Sequence, residues 1–149
     1  MQNILNFYQI TDRIATSGQP TVEQFPKIRE EGYSLIINLA MSDAMNAVPE
    51  EEGIIRDLGI THVHIPVPFD KPTVAHLTAF FGIMDAFKNE KVFVHCALNL
   101  RVSVFIYKYL VFKGAAPETA TTPFLQEWMP NMDESWKKIL YLTKQDISL

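Results

Sequence analysis

The chain has 149 residues, 48% of them hydrophobic and 11% aromatic, which is ample material for one packed core, and a single domain spanning 1–149 is expected. A formal net charge of −4 offers no broad basic surface to a nucleic-acid backbone, and no apolar run reaches membrane-spanning length without a charge. Cys96 is the sole cysteine, so an internal disulfide and a multi-cysteine metal site are both excluded.

In chain order, the first residues lack the basic start and apolar run of a signal peptide, and a cytoplasmic protein is expected for the sequence as it stands. Phe7 to Thr16 suits an additional N-terminal hairpin. Thr21 to Glu31, closed by Gly32, and Pro49 to Leu58, closed by Gly59, follow helix start and stop rules. Between and after them, Leu35 to Leu39, Thr61 to Val67 and Lys91 to His95 are apolar runs rich in β-branched residues, the pattern of buried strands. Thr73 to Lys88 reads as an amphipathic helix, and Val102 to Lys113 as a helix buried on most sides that stops at Gly114. Helical segments at Pro117 to Trp128 and Asp133 to Lys144 finish the chain. Strand and helix in alternation predict an α/β fold, a mainly parallel sheet flanked by helices.

The chemistry concentrates where the third strand meets the buried helix, in His95-Cys96-Ala97-Leu98-Asn99-Leu100-Arg101. Ligands of open α/β sheets bind at the carboxyl ends of strands, and a helix N-terminus presents unpaired N–H groups and a positive dipole end. An anion is the expected guest. The same field favours a thiolate on Cys96, and Arg101 adds a guanidinium able to hold two oxygens at once. A cation at a helix start is disfavoured by the dipole, so Arg101 itself points to an anionic partner. Asn99 stands where a tight turn calls for positive φ. A lone cysteine is more often a small buried hydrophobe, but strand end, arginine and helix start together reverse that reading.

His-Cys, a short loop, Arg and a buried helix resemble the signature of tyrosine and dual-specificity phosphatases. Here the loop has four residues, Ala97 to Leu100, one fewer than in those enzymes. This spacing is similar to that of the phosphatase-like domain of unknown function found fused to β-lactamase-like hydrolases, and also to the loops of rhodaneses. The former is favoured by Ile14-Ala15-Thr16-Ser17-Gly18-Gln19-Pro20, by Leu35-Ile36-Ile37-Asn38-Leu39 and by His64-Ile65-Pro66-Val67, which occur in the same order, so the resemblance runs from about residue 9 to 113. Asn99 replaces the usual Gly, and Val102 the usual Ser or Thr after the arginine; Ser103, one position on, would have to reach back to support the thiolate.

The resemblance implies a phosphatase acting through Cys96 as nucleophile, with Arg101 and the loop residues Ala97, Leu98, Asn99 and Leu100 holding phosphate, and Asp70 as general acid. A purely structural turn role for Asp70 has equal standing. His95 is expected to make a supporting hydrogen bond, Gln19 and more weakly Ser17 to line the pocket, and Trp128 and Met129 to form a rim or close the core. His62 and His64 share a strand face but are read as packing without a third ligand, and Glu50, Glu51 and Glu52 as a helix N-terminal charge run. No metal and no cofactor are predicted. The expected partner is a phosphorylated substrate or small oxyanion, with neither nucleic acid nor membrane, and oligomeric state is open. Two rival readings are sulfur transfer through a Cys96 persulfide, which the shorter loop suits, and a non-catalytic oxyanion or phosphoprotein binding module.

Overall fold

In the computed structural model, which describes residues 1–147, the expected strands line up as neighbours. The sheet comprises β1 (Tyr8–Gln9), β2 (Ile14–Ser17), β3 (Leu35–Asn38), β4 (Thr61–His64) and β5 (Val92–His95), in the order β1-β2-β5-β3-β4. Only β1 runs antiparallel, as a hairpin with β2. β2 then does more than close that hairpin: it pairs in parallel with β5 from Ile14 opposite Val92 to Ser17 opposite His95. On its other side β5 pairs with β3, from Leu35 opposite Val92 to Asn38 opposite His95. β5 is therefore central, and the residues after His95 emerge between the ends of two parallel neighbours, the crevice where such sheets bind ligands.

Eight helices are described: α1 (Phe25–Glu30), α2 (Glu51–Asp57), α3 (Val74–Ala86), α4 (Leu100–Phe112), α5 (Pro117–Ala120), α6 (Pro123–Trp128), α7 (Glu134–Leu140) and α8 (Lys144–Ile147). Successive strand residues face opposite sides, and each side has its own core. Ile14, Ile37, Val92 and Val94 pack with Leu77 and Phe80 of α3, Val104 and Phe105 of α4, and Trp136 of α7. Ala15, Ile36 and Phe93 pack with Phe25 and Ile28 of α1 and Ile55 of α2. By this alternation His95 faces α1 and α2, on the side of Phe93, whereas Cys96 belongs to the α3 and α4 side.

Three boundaries differ from the sequence reading. β4 ends at His64 because Pro66 and Pro68 have no N–H to donate, although Ile65 and Val67 still donate to the carbonyls of Asn38 and Leu39 and carry the pairing onward. α4 starts at Leu100, so Arg101 lies inside its first turn. The segment from Pro117 breaks at Thr121, which is extended, and Thr122 caps α6 by accepting from the N–H of Leu125. Pro123 disfavours helical backbone at the residue before it, which splits the predicted helix in two. A buried cation then fixes the C-terminal helices: Lys108 Nζ in α4 donates to the carbonyls of Leu140 and Leu142 at 2.7 and 2.6 Å, satisfying orphan acceptors at the end of α7. None of the described helices is long and apolar enough to cross a membrane.

Candidate active site

Cys96 follows β5 directly and is only 1% exposed. The loop beyond it is held by its carbonyls. That of Cys96 faces Nδ1 of His95 at 3.1 Å, that of Ala97 accepts from the N–H of Gln19 at 3.0 Å and from Asn46 Nδ2 at 3.1 Å, and that of Leu98 accepts from Asn6 Nδ2 at 2.9 Å. In a trans peptide the C=O and the following N–H point in opposite directions. Carbonyls tied outward therefore turn the N–H groups of Ala97, Leu98 and Asn99 inward, and among the described residues none of these donates to the backbone. The result is a nest of unsatisfied donors at the N-terminus of α4, suited to an anion.

Asn99 completes the turn with φ +71, in the left-handed region where Asn is tolerated better than most residues. Its Nδ2 is tied to the carbonyl of Asn6 at 2.8 Å and to Thr16 Oγ1 at 3.2 Å, so the side chain braces the loop against the N-terminal segment. Gly18 is required for a related reason. A Cβ there would sit 2.6 Å from the Ala97 carbonyl oxygen, so the end of β2 approaches the loop closely only because that residue has no side chain.

Arg101 is 6% exposed and directed by three contacts. Nη1 donates to the carbonyl of Val67 at 2.9 Å, the guanidinium lies 5.6 Å from the ring centroid of Phe69, and Nε is buried without a partner. Phe69 is itself fixed, stacked on Trp128 at 5.5 Å, with its carbonyl accepting from Trp136 Nε1 at 2.6 Å. Anchoring Nη1 leaves the Nε and Nη2 edge, the one that forms two parallel hydrogen bonds to an oxyanion. An orphaned buried donor on that edge is costly unless an acceptor comes to it.

On the opposite face of β5, one carboxylate of the expected helix N-terminal charge run is only 6% exposed. Glu51, in the first turn of α2, accepts from His95 Nε2 at 2.8 Å and His62 Nε2 at 2.9 Å on one oxygen, and from Gln19 Nε2 at 2.7 Å on the other. Burial works to raise its pKa, but the hydrogen bonds from His62, His95 and Gln19 and the charge of His95 outweigh it and hold the carboxyl far below the ordinary range. His62 is thus a partner in a polar cluster rather than a packing residue, while His64 Nε2 donates separately to the Ala40 carbonyl at 2.6 Å.

The remaining expected site residues are placed as follows. Ser103 donates from Oγ to the carbonyl of Leu100 at 2.6 Å and not to the Cys96 sulfur, which corrects the expected thiolate contact: one turn into α4, its nearest strong acceptor is the helix backbone. Ser17 Oγ donates to the Gly18 carbonyl at 2.6 Å. Gln19 is brought to the site through Glu51 and the Ala97 carbonyl. Leu98 is 51% exposed and, with Leu100, Phe124 and Trp128, lines a cleft of about 430 Å3 beside the loop, while Met129 is exposed. Asp70 is exposed in a turn closed by Lys71 N–H to the Pro68 carbonyl at 3.1 Å. Asp70 lines a separate cleft of about 660 Å3 with Lys138, Tyr141 and Asp146, although Val67 and Phe69 of the same segment touch Arg101.

Residues 8–135 match the family described as PTP-NADK, a DSP-PTPase phosphatase fused to NAD+ kinase. The chain belongs to this family. Among relatives of the PTP-NADK domain, the beta-lactamase hydrolase-like protein of Xylella fastidiosa Temecula1 is 30% identical over 100 residues, covering 65% of this chain and 23% of that protein. The chain thus spans under a quarter of the curated relatives it matches. A DUF442 protein of Shewanella putrefaciens CN-32, named as an inferred phosphatase, superposes with a TM-score of 0.84 at 29% identity, covering 93% of this chain and 91% of the other. The core catalytic domain of the PP-IP phosphatase SIW14 from S. cerevisiae, solved with citrate, superposes at 0.74 with 17% identity and 97% and 90% coverage. The sheet flanked by helices is therefore that of protein-tyrosine and dual-specificity phosphatases, and the expected kinship with the β-lactamase-linked phosphatase-like domain holds.

Proposed function

We infer that the chain hydrolyses phosphate monoesters through Cys96. The observation that supports this most directly is the unpartnered Nε of buried Arg101 beside a loop whose carbonyls at Cys96, Ala97 and Leu98 are tied outward. The Cys96 thiolate attacks phosphorus in line, forming the S–P bond as the ester P–O bond breaks. Inward N–H groups and the Nε and Nη2 edge of Arg101 hold the three equatorial oxygens as charge develops. Asp70, next to the fixed Phe69 that packs on Arg101, is the proposed proton donor to the departing oxygen. Water then attacks phosphorus, gives its proton to Asp70, and releases inorganic phosphate with the thiolate regenerated.

The four-residue loop also favours a second reading, sulfur transfer through a Cys96 persulfide, since it supplies one fewer N–H than the phosphatase loop it resembles. Side-by-side assays of aryl-phosphate hydrolysis and thiosulfate-to-cyanide transfer on one preparation decide between them. Phosphate release without thiocyanate supports the phosphatase, thiocyanate without phosphate the sulfurtransferase, and anion binding with neither product a non-catalytic module. The proposed partner is a phosphorylated molecule, with no part for nucleic acid, membrane, metal or organic cofactor in these steps, in a single domain.

A further inference from the structure

Glu51 lies behind the loop rather than in it, on α2, and its preceding residue Glu50 takes the left-handed conformation with φ +59 as the chain enters that helix. Its carboxylate oxygen Oε2 stands 2.8 Å from His95 Nε2. The other ring nitrogen of His95, Nδ1, stands 3.1 Å from the Cys96 carbonyl. Both ring nitrogens of this wholly buried side chain thus face acceptors, a carboxylate on one side and a carbonyl on the other. Gln19, just past the end of β2, and His62 of β4 supply the other donors to Glu51, and these hydrogen bonds keep its carboxylate ionised.

We propose that Glu51 is a positioning residue for the oxyanion loop: it holds His95 as a cation whose Nδ1–H fixes the Cys96 carbonyl and so turns the Ala97 N–H inward. The peptide that opens the loop cannot rotate without breaking this contact, and planarity carries the constraint to the Ala97 donor. The same pin places a positive charge against the peptide of the nucleophile, on the sheet face opposite its sulfur. Gln19 adds a second tie, because its side chain binds Glu51 while its backbone N–H holds the next carbonyl, that of Ala97. Two consecutive loop carbonyls are thus referred back to one buried carboxylate.

This inference rests on reading the loop as an oxyanion site, and its tests use no turnover, so they stand apart from the outcome of the enzyme assays. In wild-type protein with 15N-labelled histidine, both ring nitrogens of His95 are expected to carry protons at neutral pH. A singly protonated His95 overturns the proposal whatever any variant does. In Glu51→Gln the ring loses its anion, and inorganic phosphate, titrated calorimetrically, is expected to bind about tenfold more weakly. Lys108→Met, which disturbs α4 far from the loop, serves as the control for general destabilisation and is expected to bind phosphate as the wild type does. Unchanged phosphate affinity in folded Glu51→Gln, or an equal loss in both variants, also overturns it.

Discussion

Arg101 donates from Nη1 to the carbonyl oxygen of Val67 at 2.9 Å, tying the first turn of α4 to the segment that carries Asp70. This bond uses the guanidinium nitrogen that a bidentate oxyanion contact does not need, and Nε is buried without a hydrogen-bond partner. Lysine can supply a charge in this position but not an anchored fork. Arg101→Lys should therefore lower kcat/KM for an aryl phosphate by roughly a hundredfold or more, as loss of a transition-state donor does. Steady-state kinetics on the folded variant check this, and wild-type efficiency would remove Arg101 from the site.

Asp70 is tested by the leaving group. Asp70→Asn should slow hydrolysis of esters with poor leaving groups by roughly a hundredfold, with a smaller loss for activated aryl esters that need little protonation. Because Asp70 is exposed in its turn, a purely structural role predicts equal, small effects on both ester classes.

Gly18→Ala places a methyl group 2.6 Å from the Ala97 carbonyl and 3.1 Å from Leu5 Cδ2. The first contact is backbone, so the loop itself must shift. Overpacking of this kind costs about 1–3 kcal/mol, and thermal unfolding should show it together with weakened binding of inorganic phosphate. Unaltered melting and binding would mean that β2 and the loop are not in register as described.

Lys108 gives a pH signature. Burial lowers its pKa from the ordinary 10.5 to about 8, with Asp146 opposing the shift. Between those two values the unfolded chain binds more protons than the folded one, so stability rises with pH across that window. The difference in unfolding free energy between wild type and Lys108→Met should grow from about pH 8 to 10, by up to roughly 3 kcal/mol. A flat difference would show that Lys108 titrates as an exposed lysine does.

Much of this was legible in the sequence where a short window holds the cause. β-branched runs gave β3 and β5, glycine stops gave the ends of α1, α2 and α4, and Cys96, Asn99 and Arg101 stood out because strand end, turn and helix start follow one another in ten residues. Glu51 was not legible. Beside Glu50 and Glu52 it has the composition of a helix-start charge run, and its partners lie 11, 32 and 44 residues away on three different strands or strand ends. His62 was read as packing for the same reason: alternation showed which way it faced but not what faced it. Ser103 failed on a local competition, since a hydroxyl one turn into a helix finds a backbone carbonyl before it finds a neighbouring sulfur.

A rapid acid quench during aryl-phosphate turnover tests whether Cys96 carries the phosphoryl group. Mass analysis of the quenched protein should find one phosphoryl group on the peptide containing Cys96 in the wild type. Cys96→Ser should retain the wild-type fold by circular dichroism but yield no phosphorylated cysteine peptide and no turnover. Hydrolysis at the wild-type rate by Cys96→Ser, or turnover with no adduct on the Cys96 peptide while another residue is phosphorylated, would show that Cys96 is not the nucleophile.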